Sequence, residues 1–175
     1  NQQSDGSFGT GGLYKSNVAV TSLAGMAFLS AGHVPGHGQY GKNVDRAIES
    51  VLSSVKTSGF IRRDGSHDHG PMYGHGFATL FLAEVYGMSP KKEVHDALKA
   101  ATQLIIRSQN KGGGWRYSPD GRDADISVTV CQMMALRAAR NCGLAVPKST
   151  VDQCVEYVRK CQNGDGGFRY QLVPF

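Results

Sequence analysis

Two kinds of apolar pattern alternate along the chain. One is continuous: Leu23-Ala24-Gly25-Met26-Ala27-Phe28-Leu29, Phe77-Ala78-Thr79-Leu80-Phe81-Leu82-Ala83 and Val130-Cys131-Gln132-Met133-Met134-Ala135-Leu136 carry almost no polar side chain. The other is periodic. Val44, Ile48, Val51 and Val55 fall at steps of four, three and four, and Val94, Leu98, Ala101 and Ile105 repeat those steps. Val151, Cys154, Val155, Val158 and Cys161 line a third such face. Such steps place residues on one side of a helix, whereas a strand alternates every second residue. A helix that is apolar all round is buried all round, while a one-sided helix lies at the surface. The pattern therefore predicts six helices in three pairs, the first of each pair inside and the second outside.

Punctuation between the runs sets the expected boundaries. The first unit has helices over 18–31 and 44–56, separated by Gly32 and a Gly-rich loop over 33–42 that holds Pro35. The second has a helix over 74–86 stopped by Gly87, after which Ser89 as N-cap and Pro90 as first helical residue open the next. The third has 126–141, closed around Gly143, and a helix after Pro147 with Thr150 and Gln153 as a capping box.

The units copy one another. Phe8, Phe60, Trp115 and Phe168 each follow a glycine-type turn, at separations of 52, 55 and 53 residues. Gln3, Gln109 and Gln162 stand before three of them, and Lys56 stands at that place in the second unit. A repeated aromatic at one position is expected to fill the same gap between stacked units. The resulting architecture is an all-α stack of three helical hairpins with a repeat of about 53 residues, each hairpin burying its neighbour's face.

These residues resemble a known pattern. Tyr157-Val158-Arg159-Lys160-Cys161-Gln162 followed by Gly166-Gly167-Phe168 is similar to the QW motif of squalene and oxidosqualene cyclases. Leu104-Ile105, Gln109 and Gly113-Gly114-Trp115 match it again, and Gln3, Gly6 and Phe8 keep its tail. Met72-Tyr73-Gly74-His75 and Gly114-Trp115-Arg116-Tyr117-Ser118-Pro119 look like the bacterial prenyltransferase/squalene-oxidase repeat proteins. The resemblance implies an α/α toroid, here an all-α partial ring, with inner helices around a cavity that accepts isoprenoid chains in the enzymes. Only three hairpins are complete here, so residues 1–175 read as a single repeat domain cut from a longer chain. Its open repeat ends are expected to associate with a protein partner or with another copy.

The resemblance also points to chemistry. Cyclases of the hopene type protonate an alkene with the middle Asp of an Asp-x-Asp-Asp motif. Asp123-Ala124-Asp125-Ile126 occupies a similar place, with Asp125 as the middle acid and Ile126 replacing the last. The other reading of Asp125 is as the N-cap of the helix that follows it, which favours the anion. Protein prenyltransferase β subunits hold zinc with an Asp-x-Cys pair. Here Asp125-Ile126-Ser127 has Ser for Cys, against zinc's preference for thiolate, so neither metal nor cofactor is expected. His67, His69 and His75, with Asp68, form a separate candidate metal or ligand cluster, as do His33 and His37. His75 is expected to face the cavity or to bond a neighbouring loop. Arg116-Tyr117 and Arg169-Tyr170 recur after the turn aromatics, with Tyr14-Lys15 as a looser echo. With Tyr73 they are candidates to meet an anionic or carbonyl-bearing ligand at one rim, or to tie adjacent repeats together.

On this reading the domain is a binding or assembly module for an apolar, isoprenoid-like ligand or a protein partner, and a terpene cyclase using Asp125 as acid is the alternative. Composition adds limits. The chain's 175 residues, 40% hydrophobic, suffice for one core, and its 23 glycines sit between the apolar runs. A net charge of +5 is scattered, with no basic run longer than two, so no nucleic-acid partner is expected. No apolar run reaches the roughly 20 residues of a membrane span. Cys131, Cys142, Cys154 and Cys161 form no CxxC pair and read as buried thiols, with a disulfide as the alternative. The compartment stays open.

Overall fold

Asn17 and Asp125 each turn an extended residue into a helix start by accepting a backbone N–H three residues on, from Val20 and from Val128. The computed structural model describes residues 1–65 and 68–172. It contains a 3-10 turn (Gly12–Tyr14) and six helices: α1 (Val18–Ser30), α2 (Gly41–Leu52), α3 (Pro71–Met88), α4 (Lys92–Arg107), α5 (Ile126–Asn141) and α6 (Lys148–Cys161). Among the described residues there are isolated bridges but no strands. The chain folds as an all-α toroid arc. α1, α3 and α5 pack side by side as the inner row, and α2, α4 and α6 each pack on the inner helix before them in the chain.

The periodic helices behave as expected: α4 buries Val94, Leu98, Ala101 and Ile105 and leaves Lys92 and Glu93 exposed. The inner helices differ from one another. Among the described residues only α3 has an inner neighbour on both sides, and it buries ten residues around its circumference. α1 leaves Leu23 45% exposed, and α5 leaves Val130 and Met134 44% and 49% exposed, because each packs on α3 along one side only. Close approach holds the row together. A Cβ on Gly25 of α1 would lie 2.4 Å from the Phe81 ring of α3. Across the next interface, the buried Gln132 donates to the Met72 carbonyl at 2.8 Å.

The turns set the true register of the repeat. Gly6, Gly59 and Gly113 all have φ between +80° and +92°, and a Cβ on each would strike a carbonyl of the unit's outer helix: Arg46 at 2.1 Å, Ala100 at 2.4 Å and Gln153 at 2.3 Å. Two residues later the backbone amide is taken up by the inner helix. Phe8 N donates to Thr21 Oγ1 at 2.9 Å, Ile61 N to His75 Nδ1 at 3.1 Å and Trp115 N to Thr129 Oγ1 at 3.1 Å. Each turn thus clasps both helices of the pair that follows it. The aromatic position in the second unit is therefore held by Ile61, 1% exposed, and not by Phe60 as its neighbouring glycine suggested. The fourth turn, with Gly166 and Phe168, has the same offset, so the four positions lie 53, 54 and 53 residues apart.

The glutamine register shifts in the same way. Gln109 Nε2 donates to the carbonyls of Gly113 and Thr150 at 2.8 and 2.9 Å, and Gln2, rather than Gln3, makes the matching bonds to Gly6 and Asn43. Val55, not Lys56, stands there in the second unit. Other boundaries also move. α3 begins at Pro71 and runs through Gly87. Ser89, disfavoured from helical conformation by the proline after it, ends α3 at φ −144° instead of capping α4. Pro147 takes the N-cap place of α6, and Thr150 makes no capping box. Its residue is buried, with its carbonyl committed to Gln109.

Trp115 is 1% exposed and Phe168 is 52% exposed, since no helical pair among the described residues lies over the fourth turn. All four cysteines are free, and burial pushes the Cys154 thiol up to about 12. No helix among the described residues is long and apolar enough to cross a membrane.

Candidate functional site at the start of the inner helices

The N-terminal ends of α1, α3 and α5 lie at one rim of the inner row, and most of the sequence-predicted side chains gather there. Asp125 is fully buried. Its Oδ1 accepts from the Val128 amide at 2.9 Å and from Ser127 Oγ at 2.6 Å, and its Oδ2 accepts from Arg116 Nη1 at 2.9 Å. Arg116 also approaches Asp123 at 3.4 Å, lies 4.3 Å above the Tyr117 ring and donates to Tyr170 Oη at 3.1 Å. The Tyr117 and Tyr170 hydroxyls bond each other. The Tyr170 carbonyl accepts from the Ile126 amide at 3.0 Å, which fixes the segment after α6 across the start of α5.

The electrostatics of this cluster are satisfied internally. Each oxygen of Asp125 faces a fixed donor, one of them a cation, with no open space in front of it. An acid that protonates an alkene needs a proton to give and a substrate within reach. The geometry of Asp125 is that of a helix cap and ion-pair partner. Arg116, with its side chain 15% exposed, is spent on two carboxylates and two tyrosines.

Tyr73 connects the cluster to a cavity. Its hydroxyl bonds Ser127 Oγ, its ring lies 6.0 Å from that of Tyr117, and burial pushes its pKa up. The cavity, of about 470 Å³, opens between α1 and α3. Val20 and Leu23 form its apolar wall, Tyr14, Tyr73 and Tyr117 supply aromatic surface, and Asp68 stands at a polar end. Asn17, the α1 cap, donates to Asp68 Oδ1 at 2.6 Å. Pattern reasoning missed Asn17 and Leu23 as lining residues, and marked Asp68 only as part of a candidate metal or ligand cluster with the neighbouring histidines. The one available signal was that Asn17 precedes α1 as Asp125 precedes α5.

His75 stands apart from this rim. It is fully buried in α3, edge-on to Phe60, and its Nδ1 accepts the Ile61 amide where the other two units use Thr21 and Thr129. The proton therefore sits on Nε2, which faces the Ala101 carbonyl without forming a hydrogen bond of good geometry. Burial lowers the His75 pKa to about 3; the Ala101 carbonyl opposes that shift and Arg107 adds to it. A base whose folded pKa lies below its ordinary 6.5 contributes its full stability above pH 6.5. That contribution falls away as the pH drops toward 3, because the unfolded chain binds the proton more readily. Urea unfolding should show about 2 kcal/mol less stability at pH 5 than at pH 7 from this residue, the slope reaching about 1.4 kcal/mol per pH unit only below about pH 6. His75→Thr should flatten the slope by that amount, whatever its effect at neutral pH.

His67 lies outside the described residues, and His69 lines the cavity. Among the described residues no three His, Cys, Asp or Glu side chains converge as a metal site. The structure thus brings Asp125, Asp123, Arg116, Tyr117 and Tyr73 into one connected group and separates His75 from it. A search of curated proteins found no match. The family model of the prenyltransferase alpha-alpha toroid domain matches residues 1–172, in agreement with the clasped helical pairs and the inner row, and the chain belongs to that family.

Proposed function

We propose that this domain binds an apolar chain of isoprenoid type in the cavity between α1 and α3. The observation that carries the reading is the cavity itself: about 470 Å³ of largely apolar and aromatic surface beside the inner row, with one polar end at Asn17 and Asp68. Such a shape holds a hydrocarbon along its wall and one polar head group at its end. The saturated environment of Asp125 supports binding over acid catalysis at this rim.

A fluorescent farnesyl probe titrated into the protein should bind saturably. Leu23→Asp places a charge in the apolar wall at a residue already 45% exposed, so it should weaken binding by about tenfold or more without unfolding the protein. Equal binding by wild type and Leu23→Asp would place the ligand elsewhere. Incubation with squalene should yield no cyclised product. A product lost on Asp125→Asn would reverse the reading in favour of a cyclase.

A further inference from the structure

The cavity between α1 and α3 has a counterpart one repeat along the arc, and that counterpart is filled. Thr21, His75 and Thr129 hold the same place in the three inner helices, since each accepts the amide of its own turn. Two residues before them stand Ala19, Tyr73 and Ser127, and one residue before them stand Val20, Gly74 and Val128. Between α3 and α5 the facing places hold Tyr73 and Val128. The tyrosine hydroxyl reaches Ser127 across the interface, and Val128 is fully buried. Between α1 and α3 the same two places hold Ala19 and Gly74, and about 470 Å³ stays open. A Cβ on Gly74 would lie 3.7 Å from the Ala19 nitrogen, so the two backbones are close. The space comes from two small side chains, not from a parting of the helices.

The polar end of this space has one sign of charge. Asn17 Nδ2 donates to Asp68 Oδ1 at 2.6 Å, and Asp68 Oδ2 has no hydrogen-bond partner among the described residues. Tyr73 has no proton left to offer a ligand. Ser127 gives its single hydroxyl proton to Asp125 Oδ1, so the bond between Ser127 and Tyr73 is donated by the tyrosine. The rings of Tyr14, Tyr73 and Tyr117 supply faces that attract a cation. Among the described residues no lysine or arginine lines the cavity, and His69 is its one basic side chain. Arg116, stacked on Tyr117, is already held by Asp125 and Asp123. In a chain of net charge +5, this end therefore carries a carboxylate that no lining lysine or arginine neutralises.

We infer that the cavity selects an apolar chain ending in a protonated primary amine. The ammonium meets Asp68 Oδ2 among the tyrosine faces, a charge-assisted hydrogen bond joined to cation–π attraction. The hydrocarbon lies along Ala19, Val20, Leu23 and Gly74. A chain ending in a diphosphate brings its negative charges against Asp68, and repulsion rejects it. A neutral alcohol falls between the two. The inference rests on the ligand reading above and adds to it the sign of the head group and the residues that set it.

The test titrates farnesylamine, farnesol and farnesyl diphosphate separately into the whole protein by calorimetry, at neutral pH and below the concentrations at which they aggregate. The amine should bind about tenfold or more tighter than the alcohol, and the diphosphate weakest of the three. Asp68→Asn keeps an oxygen for the Asn17 bond. It should remove the amine's advantage and leave the alcohol within about twofold of its wild-type affinity. Ala19→Phe fills the apolar end, as Tyr73 fills the next interface, and should weaken amine and alcohol alike by about tenfold or more. Circular dichroism should show both variants to be as helical as wild type; Ala19→Leu and Asp68→Ser are the substitutes if either is not. An amine no tighter than the alcohol, a diphosphate as tight as the amine, or an amine advantage that survives Asp68→Asn overturns the inference. In those cases a loss on Ala19→Phe leaves the cavity standing as the ligand site. Binding that Ala19→Phe leaves unchanged, or no binding by any of the three, overturns the cavity reading and this inference with it.

Discussion

Asp125→Ala should lower the unfolding free energy by about 3 kcal/mol. About 1 kcal/mol of this is the lost cap at the Val128 amide. The larger part comes from Arg116, whose guanidinium loses its buried carboxylate and keeps Asp123, a side chain 58% exposed, as its one remaining anion beside the two tyrosines. Asp125→Asn retains an oxygen for the cap and should cost less. Asp123→Ala should stay within about 0.5 kcal/mol of wild type, as expected for the exposed arm of an ion pair. Urea denaturation of the three variants measures the ordering. If Asp125→Ala matched Asp123→Ala, the cluster would not be holding the start of α5.

Gly113→Ala should be the more damaging of two chemically identical changes. Its Cβ would stand 2.3 Å from the Gln153 carbonyl of α6, and neither backbone can retreat without opening the third hairpin. Added to the cost of φ +92° for an L side chain, the expected loss is about 3–5 kcal/mol. Gly166→Ala has almost the same φ, +86°, and open space around it. It should cost only the conformational part, about 1–2 kcal/mol. Thermal melts of the pair isolate the contact from the torsion. Equal losses would mean that the turns do not press on the outer helices at all.

What sequence could and could not supply follows from how local each signal is. α5 was legible to the residue, over 126–141, because its cap and its apolar run are adjacent in the chain. The inner and outer rows were legible because the three continuous runs and the three periodic ones differ in kind. The register of the repeat was not. Phe60 beside Gly59 imitates the Gly-aromatic pair, and Gln2 and Gln3 are neighbours, so only the positive φ of the glycine and the amide two residues later distinguish them. The role of His75 was hidden for the same reason: its partner, the Ile61 amide, carries no side-chain signature. The rim cluster was half visible. Tyr73 and the two acids were marked as candidates from a resemblance, and Arg116 and Tyr117 from the recurrence of Arg-Tyr after the turn aromatics. That Arg116 closes on Asp125 depends on a turn that brings residues nine apart within 2.9 Å. The cavity was not visible, since its wall is shared between α1, α3 and the segments before them.

The clasp also gives the arc a direction. Because every turn grips the pair that comes after it, a ribosome would release each fastener before the hardware it must fasten. A pair shed from the carboxyl end leaves earlier fasteners closed, whereas cutting away residues 2–8 undoes the grip on α1 and α2 at once. Trimming from the two ends is therefore not equivalent: erosion from the far end shortens the arc by whole pairs, and erosion from the near end loosens the first pair without removing it.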